Sequence, residues 1–305
     1  MYELKECITN VSIDRLTVIG SIIDTQAFQI NIINDYNITE KLLPYSPNTG
    51  YDQSLKLVEG LGHIDINNRE NIARYEYNPN TIAPNQKFYV EIIINQLKNI
   101  SFSRVDIAID FNLNGFNDFD FQCTRKVKEY HVLGVTKKIE TKYFGTRNSD
   151  MFYRLYDKTI ERQEKGKTDV PQGWWRLEVQ LNTKRIVDDF LYNEFTPFYD
   201  MIVGRDNGFD ESFFSQCKNM KDFLFFKEVY IHRNYLDMLS RREKESFNRM
   251  KKEYEEIIFK DYIIIGSLVQ NELDTIKKQL QTLINQHNVF TCLLYTSDAA
   301  DDLTR

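Results

Sequence analysis

The 305-residue chain is short of the residues that usually announce a special chemistry or compartment. Its four cysteines, Cys7, Cys123, Cys217 and Cys292, lie far apart with no CxxC pair. That spacing argues against a disulfide framework or a zinc site and fits a reducing cytoplasm. The four histidines form no HxH or HExxH pattern. There is no GxGxxG turn and no Walker loop, so ATP-driven and zinc-dependent mechanisms lack their usual residues. No run reaches the roughly 18 apolar residues that span a bilayer. The opening MYELKECITN has no apolar signal-peptide centre. With 12 Gly and 6 Pro against 42% hydrophobic and 28% charged residues, the composition is globular. The length allows one large domain or two of ordinary size, with a substantial core.

The net charge of −6 does not point to nucleic acid, but the distribution of charge is more informative. Between Arg125 and Lys167 there are 12 Lys and Arg against 6 Asp and Glu. A second basic run comprises Arg241, Arg242, Lys244, Arg249, Lys251 and Lys252. Local basic surfaces bind phosphates even on an acidic protein; the competing reading is a pair of solvated faces.

Several segments alternate with the period of a strand. In Asp150–Tyr156, Met151, Tyr153 and Leu155 fall on one face, and Phe152, Arg154 and Tyr156 on the other. In FSRVDIAIDF (102–111), Val105, Ile107, Ile109 and Phe111 oppose Arg104, Asp106, Ala108 and Asp110. In WWRLEVQLN (174–182), Trp175, Leu177, Val179 and Leu181 oppose Arg176, Glu178 and Gln180. Strands are also expected at 11–19, 74–77 and 137–145. Helices are expected over 86–98, where a strand is the alternative, over 117–131, and from Ile186. From about Glu211 to Phe290 the pattern is mostly helical, ending in a seam of Val269, Leu273, Ile276, Leu280 and Leu283 that fits packing within a domain. Asp14-Arg15 followed by Arg74-Tyr75-Glu76 echoes Arg104-Val105-Asp106 followed by Arg176-Leu177-Glu178. A duplicated β-α-β unit and chance are equal readings of that echo. The fold class expected is α+β, a largely antiparallel sheet with packed helices followed by a helical C-terminal region. The boundary is placed at 205/206, with a second region over 206–290.

Three strands thus each carry polar groups on one face. Asp106, Asp110 and Glu178 would repel one another unless neutralised, either by a hard divalent cation such as Mg²⁺ or Mn²⁺ or by ion pairs with Arg154 or Arg176. Tyr156 is a poor nucleophile at an ordinary pKa of about 10; a cation or Arg154 nearby would favour its phenolate. The same cation would polarise a phosphodiester.

The stretches RYEYNPNTI, FSRVDIAIDF, ETKYFGTRNSDMFYRLYDKTIERQEKG and WWRLEVQLNTKRIVDDFL together resemble the Rep_trans family of rolling-circle replication initiators of Gram-positive plasmids, over about residues 10–200. The resemblance implies a nickase in which Tyr156 attacks one strand of the double-strand origin, leaving a 5′-phosphotyrosyl link and a free 3′-OH primer. It implies metal ligands at Asp106 and Glu178, with Asp110 a further candidate, and a scissile phosphate held by Arg154 and Lys158. It implies as partners origin DNA (the single-stranded nick region of a cruciform or hairpin plus flanking duplex), a superfamily 1 helicase and a second copy of the chain, in the cytoplasm with no membrane. Lys142 and Arg147 beside Tyr156, and Arg241, Arg242, Lys244, Arg249, Lys251 and Lys252 in the C-terminal region, are the expected DNA contacts. The alternatives are a relaxase-like nickase of an integrative conjugative element and a catalytically silent origin-binding protein. Cys292–Arg305 (CLLYTSDAADDLTR) is similar to translated sequencing-adapter read-through, so 291–305 is expected to be a non-native tail without a defined structure.

Overall fold

In chain order the elements are α1 (Tyr2–Cys7), β1 (Ile8–Ser21), α2 (Thr25–Ile30), β2 (Thr39–Leu43), β3 (Gln53–Leu57), β4 (His63–Asn67), β5 (Ile72–Tyr77), α3 (Lys87–Asn95), β6 (Lys98–Asn112), β7 (Phe119–Cys123), β8 (Glu129–Leu133), β9 (Ile139–Phe144), β10 (Met151–Asp157), α4 (Lys158–Glu164), β11 (Trp174–Leu181), α5 (Lys184–Tyr192), β12 (Met201–Phe209), α6 (Met220–Ile231), α7 (Arg241–Glu253), β13 (Ile258–Ile264), α8 (Ile265–Leu268) and α9 (Gln270–Asp301). The structure, a computed structural model, describes the backbone of residues 2–22, 25–32, 38–43, 48, 50–113, 119–135, 139–209, 220–231, 233–253 and 258–301. Side chains are described for these except 2, 3, 30, 205–209, 220, 223, 227, 230, 231, 233, 234, 237, 251–253, 258–261 and 286–301.

A ten-stranded sheet in the order β2-β3-β4-β5-β1-β6-β11-β10-β9-β8 carries the fold. Its neighbours all pair antiparallel. β1 and β6 lie side by side at the centre. Outward from β1 come β5, β4, β3 and β2; outward from β6 come β11, β10, β9 and β8. In each half the chain lays the central strand first and returns along the meander from the outside in. A helix then follows, α3 after β5 and α5 after β11. The echo in the sequence is therefore a topological repeat, of five strands and a helix rather than one β-α-β unit. Arg74-x-Glu76 on β5 and Arg176-x-Glu178 on β11 occupy corresponding places.

Alternation makes the sheet two-faced. Leu16, Val18, Val105, Ile107, Ile109, Phe111, Leu155, Leu177 and Val179 are buried in one core, together with Val187, Phe190 and Leu191 of α5. Val269 and then Leu273, Ile276, Leu280 and Ile284 of α9 join the same core. Each such side chain contributes roughly 1.5–3 kcal/mol by leaving water. The expected heptad-like seam is thus packing within the domain, with Ile284 rather than Leu283 completing the buried stripe.

Three expectations fail. The helix expected over 117–131 is not found at 119–131: β7 and β8 stand there, because Phe119, Phe121 and Cys123 alternate and Phe121 packs edge-on to Phe111 at 5.8 Å, while 117 and 118 lie outside the described residues. The boundary at 205/206 falls inside β12, which joins β7 from one side and β13 from the other in a three-stranded sheet. With α9 in the main core as well, 206–290 is not a separate unit; only α6 and α7 show a distinct small core of Phe226, Val229, Phe247 and Met250 among the described residues. Finally, the expected tail continues α9 as far as Asp301, while 302–305 lie outside the described residues.

Candidate active site

The register puts the polar residues of β6, β11 and β10 on one face. Tyr156 lies opposite Arg176, and Arg154 opposite Glu178. Across the next seam Arg176 lies opposite Asp110, Glu178 opposite Ala108, and Gln180 opposite Asp106. Paired residues of antiparallel strands share a face, so Tyr156, Arg154, Glu178, Asp106 and Asp110 converge as the alternation predicted.

Tyr156 is more enclosed than a polar-face tyrosine would be, at 4% exposure. The Arg154 guanidinium lies 4.1 Å over its ring centre, and the Lys158 ammonium 5.3 Å from it. Lys158 Nζ also donates to the phenol oxygen at 3.2 Å. A local device makes that reach possible. Asp157 caps α4 by accepting from Ile160 N–H at 3.1 Å, which turns the chain so that Lys158, the first helical residue, lies back over Tyr156; such caps typically contribute about 1 kcal/mol. Burial pushes the Tyr156 phenol well above its ordinary value, with Arg154 and Arg176 opposing and Glu178 adding. Burial likewise lowers the Lys158 ammonium, against its ion pair with Glu161 at 2.7 Å.

The carboxylates are neutralised by arginines. Arg104 holds Asp106 through two hydrogen bonds of 2.7 Å. Arg154 holds Glu178 at 2.7 Å, and Gln180 donates to its other oxygen at 3.0 Å. Arg176 grips Asp110 at 2.7 and 2.8 Å, and the Trp174 indole donates to the same carboxylate at 2.9 Å. Arg176 reaches Asp14 too, at 2.7 Å. Arg104, Asp14, Gln180 and Trp174 were absent from the sequence-derived site. Arg104 and Gln180 were legible by parity alone, each two residues from a chosen carboxylate; Asp14 and Trp174 depend on which strands become neighbours.

The two acids differ electrostatically. Burial holds Asp106 up from 3.8 to about 6, against Arg104 and Arg15 and with Glu178 adding to the rise. Burial acts on Glu178 also, yet Arg154 and Gln180 outweigh it and its carboxyl lies below the ordinary value. No group of three or more His, Cys, Asp or Glu poised for a metal occurs among the described residues. Two coupled carboxylates suffice for Mg²⁺, which is typically held by one or two protein carboxylates with water and substrate phosphate completing the shell. Asp106 and Glu178 fit that donor set. Asp110 is the most heavily engaged of the three, by Arg176, Trp174 and Asn10, although both oxygens of Asp106 and of Glu178 are also hydrogen-bonded.

The remaining basic candidates scatter. Lys142 pairs with Leu155, is buried, and lies on the core face, opposite in parity to Tyr156. Arg147 is exposed in the turn before β10; six residues of strand at about 3.3 Å each separate that end of β10 from Tyr156. Arg241, Arg242 and Arg249 are exposed on α7, and Lys244 is half-buried there. The side chains of Lys251 and Lys252 lie outside the described residues. Tyr153, on the core face, donates to Asp200 and accepts from Phe198 N–H at 3.3 Å. Tyr143 stacks on Phe152 at 5.7 Å.

The Rep_trans family, described as replication initiation factor, matches residues 100–256. A replication initiation protein of Staphylococcus aureus is 30% identical over 213 residues, covering 69% of this chain and 62% of that protein. Another from Staphylococcus aureus is 32% identical over 128 residues, 41% of this chain and 40% of that protein. The chain therefore spans less than two-thirds of the length of these curated relatives. A rolling circle replication initiator protein from Geobacillus stearothermophilus aligns in structure with a TM-score of 0.38 at 16% identity, over 58% of this chain and 76% of that one.

Proposed function

The chain belongs to the Rep_trans family of replication initiation factors, and we propose that it initiates rolling-circle replication by nicking one strand of its origin with Tyr156. The observation that carries this reading is the setting of one phenol: Lys158 Nζ at 3.2 Å from its oxygen, Arg154 over its ring, and two acids of the adjoining strands on the same face. Arg154 Nε is buried with no hydrogen-bond partner. A non-bridging oxygen of the scissile phosphate would accept from it. Arg154 would then orient the phosphate while Lys158 steadies the developing phenolate. The Tyr156 oxygen bonds to phosphorus, the bond to the 3′-oxygen breaks, and that oxygen leaves to become the 3′-OH primer. The phenol proton passes to solvent, the leaving 3′-oxygen takes one up from solvent, and the Lys158 ammonium stays as the donor to the phenol oxygen.

We infer that Asp106 and Glu178 hold the Mg²⁺ or Mn²⁺. When bound, the ion would polarise the phosphate and offset the charge of its transition state. Arg104 and Arg154, both part-exposed, would release these carboxylates toward it. The exposed Arg241, Arg242 and Arg249 supply a surface for duplex phosphates, which position rather than specify. Origin DNA is the partner on this reading, and a homodimer, a superfamily 1 helicase and a cytoplasmic setting accompany it as expectations of the family. No helix among the described residues is long and apolar enough to cross a membrane.

One observation favours the silent origin-binding alternative: Tyr156 is enclosed, and its phenol is pushed up by burial. Covalent capture separates the two. A labelled oligonucleotide from the replicon, incubated with protein and Mn²⁺ and run on a denaturing gel, should give a protein-linked band that Tyr156→Phe and EDTA each abolish. A band that survives Tyr156→Phe removes the nucleophile assignment. Binding without any band, from supercoiled and single-stranded substrates alike, favours the silent protein.

A further inference from the structure

Against Asp110 lies a cavity of about 450 Å³, whose lining includes Thr9, Asn10, Asn112, Pro171, Gln172 and Trp174. Its volume is that of a small-molecule site, which typically runs to about 300–1,000 Å³. Of its lining residues only Asp110 has an expected role above, as a candidate metal ligand. Asn10, Asp110 and Ala108 are on the face that carries Tyr156, and Trp174 pairs with Asn112 on that same face.

From this cavity we propose that the protein takes one unstacked nucleobase next to the scissile phosphate, seated against the Trp174 indole. This rests on the nicking reading. The argument is chemical. Trp174 and Pro171 give it one flat and one rigid apolar surface, the Phe111 ring being turned to the core on the other face. The polar part of the lining is the amides of Asn10, Asn112 and Gln172 and the Thr9 hydroxyl, which offer both donors and acceptors. The one charge, Asp110, is matched by two hydrogen bonds from Arg176. A neutral planar heteroaromatic with mixed donors and acceptors on its edge suits this lining; a free anion or cation does not.

The pocket is also held in register with the reaction. Trp174 is pinned at both ends: its indole N–H donates to Asp110 at 2.9 Å and its backbone N–H to Thr159 Oγ1 at 3.1 Å. Thr159 in turn donates to the Pro171 carbonyl at 2.7 Å. Thr159 is three residues after Tyr156, so the pocket wall and the nucleophile are fastened to the same helix start. Arg176 joins them from below, opposite Tyr156 on one side and Asp110 on the other. Arg162, 6.0 Å from the Trp174 ring, adds a cation for an adjoining phosphate. Enzymes that act on a nucleobase seat it, unstacked, among aromatic and apolar side chains and polar edge partners, the same chemistry of lining.

The test compares affinities of the full chain for dT12 and for a 12-mer of the same sugar-phosphate backbone without bases. Stacking of one base on an aromatic contributes about 1–3 kcal/mol, so Trp174→Ala should shrink the dT12-to-abasic affinity ratio by about fivefold or more. The abasic affinity itself should stay within about twofold, since backbone contacts persist. Trp174→Phe, which keeps a stacking face and guards against a folding artefact, should retain most of the ratio. A ratio unchanged in Trp174→Ala overturns the pocket and leaves nicking intact. Equal loss on both probes also overturns it, as a structural effect. No binding of either probe by the unsubstituted protein sinks the nucleic-acid reading itself.

Discussion

The two halves of the ten-stranded sheet share a frame and differ in what they mount on it. Arg74 and Glu76 on β5 correspond to Arg176 and Glu178 on β11. One strand further out, His63 and Asp65 on β4 stand where Arg154 and Tyr156 stand on β10. In the first half Arg74 bonds Asp65 at 2.8 Å and also Glu76, while Arg15 reaches Glu76 at 3.0 Å and Thr17 donates to it at 3.2 Å. Each acid there meets a cation. In the second half a phenol replaces the outer carboxylate. Arg176 then turns inward to Asp110 and Asp14, and the phenol is left to Lys158 and Arg154. At that one position an ion-pair lattice gives way to a phenol held by cations. On the nicking function proposed above, the first half would carry stability and the second the chemistry.

The sharpest way to break that division is to exchange losses. Asp65 is fully buried and the Arg74 side chain is 15% exposed. Removing one partner of a buried pair typically costs about 3–5 kcal/mol because the other charge is left uncompensated. Asp65→Ala should lower the chemical-denaturation stability by about that much while adduct formation per folded molecule is unchanged. Tyr156→Phe should do the reverse, eliminating the adduct for roughly 0.5–1.5 kcal/mol, the typical net contribution of one hydrogen bond. If Asp65→Ala also abolishes the adduct at a temperature where the protein is folded, the halves are not divided as argued.

A smaller effect tests the acids. Asp106 titrates at about 6 rather than 3.8 in the folded chain, chiefly through burial. The folded state then binds a proton that the unfolded state has released. The stability this gives is full below about 3.8 and is lost as pH rises through 6. The difference corresponds to about 3 kcal/mol. In EDTA, Asp106→Asn should therefore stabilise the protein at pH 7 by up to that amount, with the gain vanishing near pH 4, and should remove metal-dependent nicking. Glu76 has the opposite sign. Burial acts on it, but Arg74 and Arg15 hold its carboxyl low, so Glu76→Gln should destabilise at pH 7 and converge with the wild type in acid. Denaturant titrations at several pH values read both. A destabilised Asp106→Asn at pH 7 would place Asp106 with the structural acids.

Much of this arrangement was legible because alternation is local. The parity of Arg154 and Tyr156, of Asp106 and Asp110, and of Glu178 can be read from seven or eight residues at a time, as can the apolar seam of α9. What was not legible depends on strand neighbours. That Arg176 grips Asp110, that Trp174 meets the same carboxylate, and that Lys142 falls on the core face opposite Leu155 all follow from register across seams. FDFQC reads as helix in isolation, since only pairing with β12 rewards its alternation. The choice between a divalent cation and arginines as the partner of the acids was also open in sequence; the folded chain supplies arginines to all three and leaves two of them as a coupled pair.

The smallest predicted effect concerns Lys158, which has no counterpart in the first half. Its ammonium donates to the Tyr156 oxygen at 3.2 Å and is steadied by Glu161 at 2.7 Å. Glu161, with Lys158 and Lys165 beside it, titrates at about 2 despite partial burial, so it stays anionic across the useful range. A hydrogen bond from a charged donor contributes about 1.5–3 kcal/mol, so Lys158→Met should slow adduct formation by roughly 10- to 150-fold. The direction with pH follows from the charge removed. Without the ammonium the phenolate loses a favourable neighbour, the Tyr156 pKa rises further, and the rising limb of the rate should move to higher pH. Lys158→Arg keeps the charge and should recover part of the rate while holding the limb near its original place. A uniform loss of rate with no movement of the limb would mean that Lys158 positions the substrate without acting on the phenol, and the contrast between the halves would rest on Arg154 alone.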